Sequence, residues 1–479
     1  MRDMTSGEPY GHLWRYALPL LLGNWLQLAY NAADSIIAGR FIGQNALAAE
    51  GIAAPVMNLV ILAISGMCIG SGVLMSEHFG AKNYGKLKRT MSTMLLFGGA
   101  VCLAVAGLGF IFVPQILRFM EVPEEIFDIT VIYMRITFLG APFTFFYNAI
   151  AAGMKSVGDS KTPLKFLMFS ALLNAGLDLI FLGLLGFGIV CSAVTTVVAE
   201  AVSAGLAAYY MATRERALSP FGSRWKIDSD ILASILKYGL PSALQQTIQP
   251  VCKVLIQGQV NALGVSSIAA FNAVTRVDDF ACIPEQGIGA SISTYVAQNR
   301  GAGKKERIRP GFRAGLTLEA LYFVVICAVA FLLRRPIVSV FVTGAGADEV
   351  VRLGSQYLGV MAFFYLWPAM TNGVQGFFRG MGKMYTTALA TLIQTSIRTV
   401  STMFLAPRFG IAGIAYACVM GWSVMLLFEV PYYFITCRKL GLPAKEVTPA
   451  GDGLPAGRMT PVRDGSPAGD MGSAGEDER

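Results

Sequence analysis

Histidine is close to absent from this chain. His12 and His78 are the two in 479 residues, which excludes an H-E-x-x-H metal helix and any Ser-His-Asp triad. Gly380-Met381-Gly382-Lys383 approaches a phosphate loop, but Phe377 stands where the leading glycine belongs and Met384 where the Ser/Thr belongs, so it is not one. ATP is therefore not the direct energy source, and no enzyme is expected. Charge is also scarce: 14% of residues are charged while 54% are hydrophobic, against roughly 25% charged in a soluble domain. The eight cysteines form no C-x-x-C pair and read as small buried residues rather than a disulfide or metal framework. There is no N-x-[ST] sequon.

What is present is a succession of long apolar runs. At about 20 residues per membrane crossing, twelve spans follow: about 16–39, 52–76, 92–114, 129–152, 164–185, 189–212, 235–262, 267–298, 314–333, 354–378, 386–406 and 411–436. The first run is too long for a signal-peptide core and is followed by no A-x-A-like site, so it is expected to remain as a span. Leu185-Gly186-Phe187-Gly188 and Leu263-Gly264-Val265-Ser266 read as tight helical hairpins. One set of alternate loops carries twenty Lys and Arg, among them Lys155 and Arg379, and the other set carries six. The richer set is expected to be cytoplasmic, with both termini. The net charge of +8 is distributed as orientation signals, not as a nucleic-acid surface. Residues 1–15 are expected as a cytoplasmic N-terminus, 16–213 and 235–440 as six-helix lobes, 214–234 as a linker, and 441–479 as a disordered cytoplasmic tail.

The chain repeats itself. Leu18-Pro19 matches Leu240-Pro241, Gly80-Ala81 matches Gly301-Ala302, Lys155 and Gly158 match Arg379 and Gly382, and Gly188-Ile189 matches Gly410-Ile411, all at an offset of 221 to 224. Two parallel six-helix repeats are a transporter architecture with a binding site between the halves.

Asp34 lies near the end of the first span. A carboxylate there is costly and points to function, the alternative being a helix end among headgroups. Counted at 1.5 Å per residue, Asp34, Asp178 and Thr196 lie at a similar depth, about 10–12 Å below the outer surface. Asn174 is one turn from Asp178 on the same face. Two acids, an amide and a hydroxyl suit a proton or a hard cation such as Na⁺, held by Asp34 and Asp178; a structural hydrogen-bonded knot is the alternative. The second half replaces this cluster by about Ile256, Ser396, Val400 and Cys418. It has instead Gln245, Gln246, Gln249, Asn272, Asp278, Asp279, Glu285 and Arg398. Glu285 could hold a cationic substrate or pair with Arg398. Gln27, Tyr30, Asn31, Gln246, Gln249, Asn272 and Glu285 are the candidates for a substrate cavity.

The chain resembles the multidrug and toxic compound extrusion (MATE) transporters over about residues 10–440. The resemblance rests on Leu18-Pro19, Asp34 with Gly39-Arg40-Phe41-Ile42-Gly43, Gly80-Ala81, Asn174 with Asp178, and Gln298-Asn299-Arg300-Gly301-Ala302-Gly303-Lys304. It implies an all-α polytopic membrane protein with twelve transmembrane helices in two parallel six-helix repeats, arranged as V-shaped lobes. It also implies export of organic, often cationic, amphiphilic compounds in exchange for H⁺ or Na⁺, with no other cofactor. Coupling is carried over onto Asp34, Asn174, Asp178 and Thr196, with helix bending near Pro19. A monomer in the plasma membrane is expected. The span-10 acid of many members has no counterpart here, which leaves second-lobe coupling to Glu285 or Asp278. The alternative is a lipid-linked precursor flippase of related scaffold. It would need a basic cavity, for which the sequence offers Arg398 as the one firm intramembrane base.

Overall fold

A computed structural model of the chain describes residues 2–41, 44–220, 225–342 and 346–443, with the backbone alone at 33–36, 38–40 and 44–47. The expected tail falls outside these residues beyond 443. Among the described residues twelve long helical rods follow one another: α1 Pro9–Phe41, α2 Gln44–Gly80, α3 Tyr84–Phe119, α4 Glu124–Ser156, α5 Lys161–Leu184 and α6 Ile189–Arg214. Then come α7 Ser229–Asn261, α8 Val265–Gly301, α9 Lys305–Leu332, α10, α11 Met384–Phe409 and α12 Ile411–Lys439. Helix α10 is two pieces, Ala347–Phe364 and Leu366–Gly380, that meet at Tyr365. The short helix Arg334–Ser339 precedes it. No strand occurs among the described residues.

Local sequence explains the helix ends. Asp228 caps α7, its carboxylate accepting from Asp230 N and Ile231 N at 3.2 Å. Asn83 does the same at the start of α3 through Lys86 N at 3.0 Å. Gly264, at φ 90°, lets α7 turn directly into α8, and Gly410, at φ 60°, does so between α11 and α12. Both expected hairpins are tight: α5 reaches Leu184 and α6 begins at Ile189.

Seven of the rods (α2–α6, α9 and α12) are long and apolar enough to cross a membrane on length and composition alone. Leu103, Leu172, Val324 and Leu427 are exposed on their outer faces, as lipid contact permits. The other rods include α7, α8 and α11, which carry the polar residues named above. Those residues lower the hydropathy of these rods.

The two halves are not separate globules. The first part of α1 buries Leu13, Tyr16, Leu20 and Leu21 in a core with Ile288, Tyr295, Phe312, Phe377 and Tyr433 of the second half. Reciprocally, Ile231 and Ile235 at the start of α7 join the first-half core of Leu74, Met91, Phe145 and Met154. This exchange follows the internal repeat, since α1 packs on α8 and α2 on α7. Glycines make the crossing close. Gly66 and Gly70 of α2 approach the backbone at Ala243 and Tyr238 of α7. A Cβ on Gly80 would stand 1.9 Å from the Gln298 carbonyl, and one on Gly301 would stand 2.0 Å from that of Glu77. The lobes are thus clamped at the end carrying the α2–α3 and α8–α9 turns, called here the closed end.

Candidate functional site

In the first lobe, α1, α5 and α6 bring polar groups together. Tyr30 Oη of α1 donates to Asn174 Oδ1 of α5 at 2.6 Å. Asn174 Nδ2 donates to Thr196 Oγ1 of α6 at 3.3 Å. Asp178, one turn along α5, accepts from the Thr195 hydroxyl. Asn174 and Asp178 are buried at 2% and 0% exposure, so these oxygens are held away from bulk water. The backbone becomes π-helical at Leu179–Leu184, starting one residue after Asp178. A wider turn at this place shifts the register of α5, and such turns accompany functional sites.

Asp34 extends this stretch on α1, three residues beyond Asn31; its side chain lies outside the described residues. Thr196 pairs with the amide rather than the acid. Asp178 does accept from Thr195, a contact the sequence did not show because neighbouring residues on a helix point about 100° apart. Pro19 sits inside an unbroken α1, where it removes one backbone hydrogen bond. Among the described residues no group of three or more His, Cys, Asp and Glu side chains is arranged to hold a metal ion.

The second lobe has its own buried polar network. Gln245 Nε2 donates to Gln375 Oε1 at 2.8 Å and to Thr391 Oγ1 at 3.0 Å. Glu285 accepts from Asn372 Nδ2 at 2.8 Å, so its partner is an amide and not Arg398. Asp278 accepts from Tyr357 at 3.1 Å and Tyr365 at 2.5 Å, and it is the acid within electrostatic reach of Arg398. Glu319 is fully buried, with neither carboxylate oxygen hydrogen-bonded among the described residues. Its place in an apolar-looking span gave no sign of that.

A cavity of about 210 Å³ lies between the lobes near the closed end. Its lining comes from α1, α2, α4, α7, α8 and α10 and includes Asn24, Gln246, Gln286 and Thr294. Of the seven residues expected to shape a substrate cavity, Gln246 lines this one. Gln27, Asn31, Gln249 and Asn272 are exposed on α1, α7 and α8. Tyr30 is turned into the Asn174 network, and Glu285 is buried within the second lobe. Two residues assigned to solvated loops are found here instead: Lys155 and Arg379 line the cavity. Each sits in the last turn of its helix. The N-terminal segment folds over the closed end, with Arg2 N bonded to Val157 O at 2.8 Å.

The family model described as MatE matches residues 19–180 and 241–404. The chain is 27% identical over 450 residues to the probable multidrug resistance protein YoeA of Bacillus subtilis, covering 91% of this chain and 96% of that one. It is 26% identical over 391 residues to the probable multidrug resistance protein YpnP of the same organism, covering 82% and 87%. Among solved structures, an outward-facing multidrug resistance MATE family transporter of the MOP superfamily superposes with a TM-score of 0.86 at 20% identity, covering 91% of this chain and 98% of that one.

Proposed function

The chain belongs to the MatE family of membrane transporters, and its matched relatives include multidrug export and probable multidrug resistance proteins; on that premise we propose that it is a secondary active antiporter. It expels organic, often cationic, compounds in exchange for H⁺ or Na⁺. The observation that carries this reading is the buried junction of α1, α5 and α6, where Tyr30, Asn174, Thr196, Asp178 and Thr195 converge. A carboxylate held among hydroxyl and amide oxygens suits the reversible binding of a proton or a hard cation. Neutralising Asp178 removes a charge from the core of the first lobe, and Asp34 is the second acid assigned to the same step. The helices then repack, and α1 has its weak point at Pro19. The closed end is read as the cytoplasmic side and the protein as resident in the plasma membrane, in accord with the basic loops.

Asp178→Asn tests this. In proteoliposomes carrying either a pH gradient or a Na⁺ gradient, the unaltered protein is expected to drive dye transport with one of them. Asp178→Asn is expected to lose at least tenfold of that rate, the order of a removed charge-assisted interaction. Gradient-driven transport at the original rate in Asp178→Asn would rule out this coupling site.

A further inference from the structure

We propose that the cavity near the closed end binds an anionic group, a carboxylate or a phosphate at the end of an amphiphilic molecule, with Lys155 Nζ as its main counter-charge. Among the described residues the lining contains Lys155 and Arg379 but neither Asp nor Glu. Lys155 Nζ has no hydrogen-bond or ion-pair partner among the described residues, and Cys68 is the one ionisable side chain in electrostatic reach. Lys155 is partly buried at the cavity wall with no counter-ion beside it among the described residues, so an incoming anion gains more there than at a fully solvated lysine. Arg379 is partly committed, bonding the Gln375 carbonyl at 3.4 Å and lying within reach of Glu319 and Glu429. That leaves Lys155 as the unmatched charge.

Two further features fit the same occupant. Lys155 and Arg379 stand 224 positions apart, the offset of the internal repeat. Each lobe therefore delivers one cation to a shared cavity, and the pair converges because the lobes are clamped at this end. The rest of the polar lining, Gln246, Gln286, Asn148 and several serines among it, is neutral and offers amide and hydroxyl donors to anion oxygens. Size then separates a head group from a whole substrate. At about 30 Å³ per water, 210 Å³ holds roughly seven waters, which is enough for a carboxylate or phosphate and part of a ring. Drug-sized ligands need about 300 Å³ or more, so the apolar body extends out of the cavity along the inter-lobe surface.

The proposal concerns binding and rests on the efflux reading only for what happens to the bound molecule. The test is equilibrium binding of rhodamine 110 and rhodamine 123, the free acid and the methyl ester of one xanthene cation. Fluorescence anisotropy reads it on the full chain in phosphatidylcholine nanodiscs. The acid is expected to bind about tenfold tighter than the ester, the scale of a hydrogen bond to a charged group. Lys155→Met is expected to bring that ratio to about one, and Lys155→Arg to retain it. A ratio of one or below in the unaltered protein overturns the proposal without recourse to any variant; so does an unchanged ratio in Lys155→Met. Adding phosphatidylglycerol distinguishes two sources of the anion. Selective loss of acid binding assigns the site to a lipid headgroup, and undiminished acid binding assigns it to the solute. Gradient-driven uptake of rhodamine 123 is measured separately, and its absence would remove the efflux reading while leaving the binding ratio intact.

Discussion

Gln298 holds three parts of the molecule at one point, and replacing it by alanine should loosen the closed end. Its side chain is fully buried on α8. Oε1 accepts from Met4 N at 3.0 Å, and Nε2 donates to the Ser156 carbonyl at 2.9 Å. Ser156 ends α4 in the first lobe, so its carbonyl has no partner within its own helix. Met4 belongs to the N-terminal segment, which is also held by Asn299 and by Lys304 at Thr5 O. Gln298→Ala leaves a buried carbonyl and a buried amide unbonded, at about 1–3 kcal/mol each. Water reaching the Met4 amide once the segment lifts brings the sum toward about 2–3 kcal/mol. At about 1.4 kcal/mol per tenfold, the clamped state loses roughly 30- to 150-fold against states open at this end. Spin labels on the exposed Lys165 and Tyr385, on outer helices of opposite lobes, report the change. Their distance distribution should broaden or gain a second population in Gln298→Ala. A distribution superimposable on that of the unaltered protein, with unchanged thermal stability, would refute the reasoning. Deleting residues 2–7 should act in the same direction but less, because Ser156 keeps its donor.

Two further outcomes follow from the same end of the molecule. Gly301→Ala places a Cβ 2.0 Å from the Glu77 carbonyl and 3.1 Å from Ala81 N; since both are backbone atoms, the crossing must open, at about 1–3 kcal/mol or more, and a thermal midpoint equal to that of the unaltered protein would show the lobes to be less closely clamped than described. His12 lies before the first span, and burial, reinforced by Arg2 and Arg307, holds its imidazole below the ordinary value. The neutral ring is favoured in the folded segment, so its contribution is complete above the unfolded value of about 6.5 and is lost as pH falls through the lower folded value. The thermal midpoint should therefore drop more between about pH 7.5 and about pH 5 in the unaltered protein than in His12→Gln, and equal drops would remove His12 from the account.

Much of the architecture is written along the chain in one dimension. Twelve apolar runs of crossing length, a repeat offset of 221 to 224 and the tight turns at Gly264 and Gly410 are local signals, because a membrane allows helices few alternatives. Asn174 with Thr196 was within reach as well, since rise per residue converts position to depth and the hairpin at Gly186–Gly188 returns α6 beside α5.

Other features had to wait for three dimensions. Whether Asp178 meets Thr195 or Thr196 depends on the rotation of α6 about its axis, and the π turn after Asp178 shifts register without any residue that announces it. Lys155 and Arg379 read as loop charges because each sits at a helix end beside Gly158 and Gly382. Only the exchange of α1 and α7 between the lobes, with the N-terminal segment folded over the junction, encloses them. Glu319 shows the same limit: its sequence neighbours are those of an ordinary span, and its burial without a hydrogen bond is set by helices far away in the chain. The sequence by itself determined how many helices there are and how they are ordered and paired by repeat. Tertiary packing decided which polar groups are brought face to face, because a helix fixes spacing along its axis and leaves rotation and neighbours to long-range contacts.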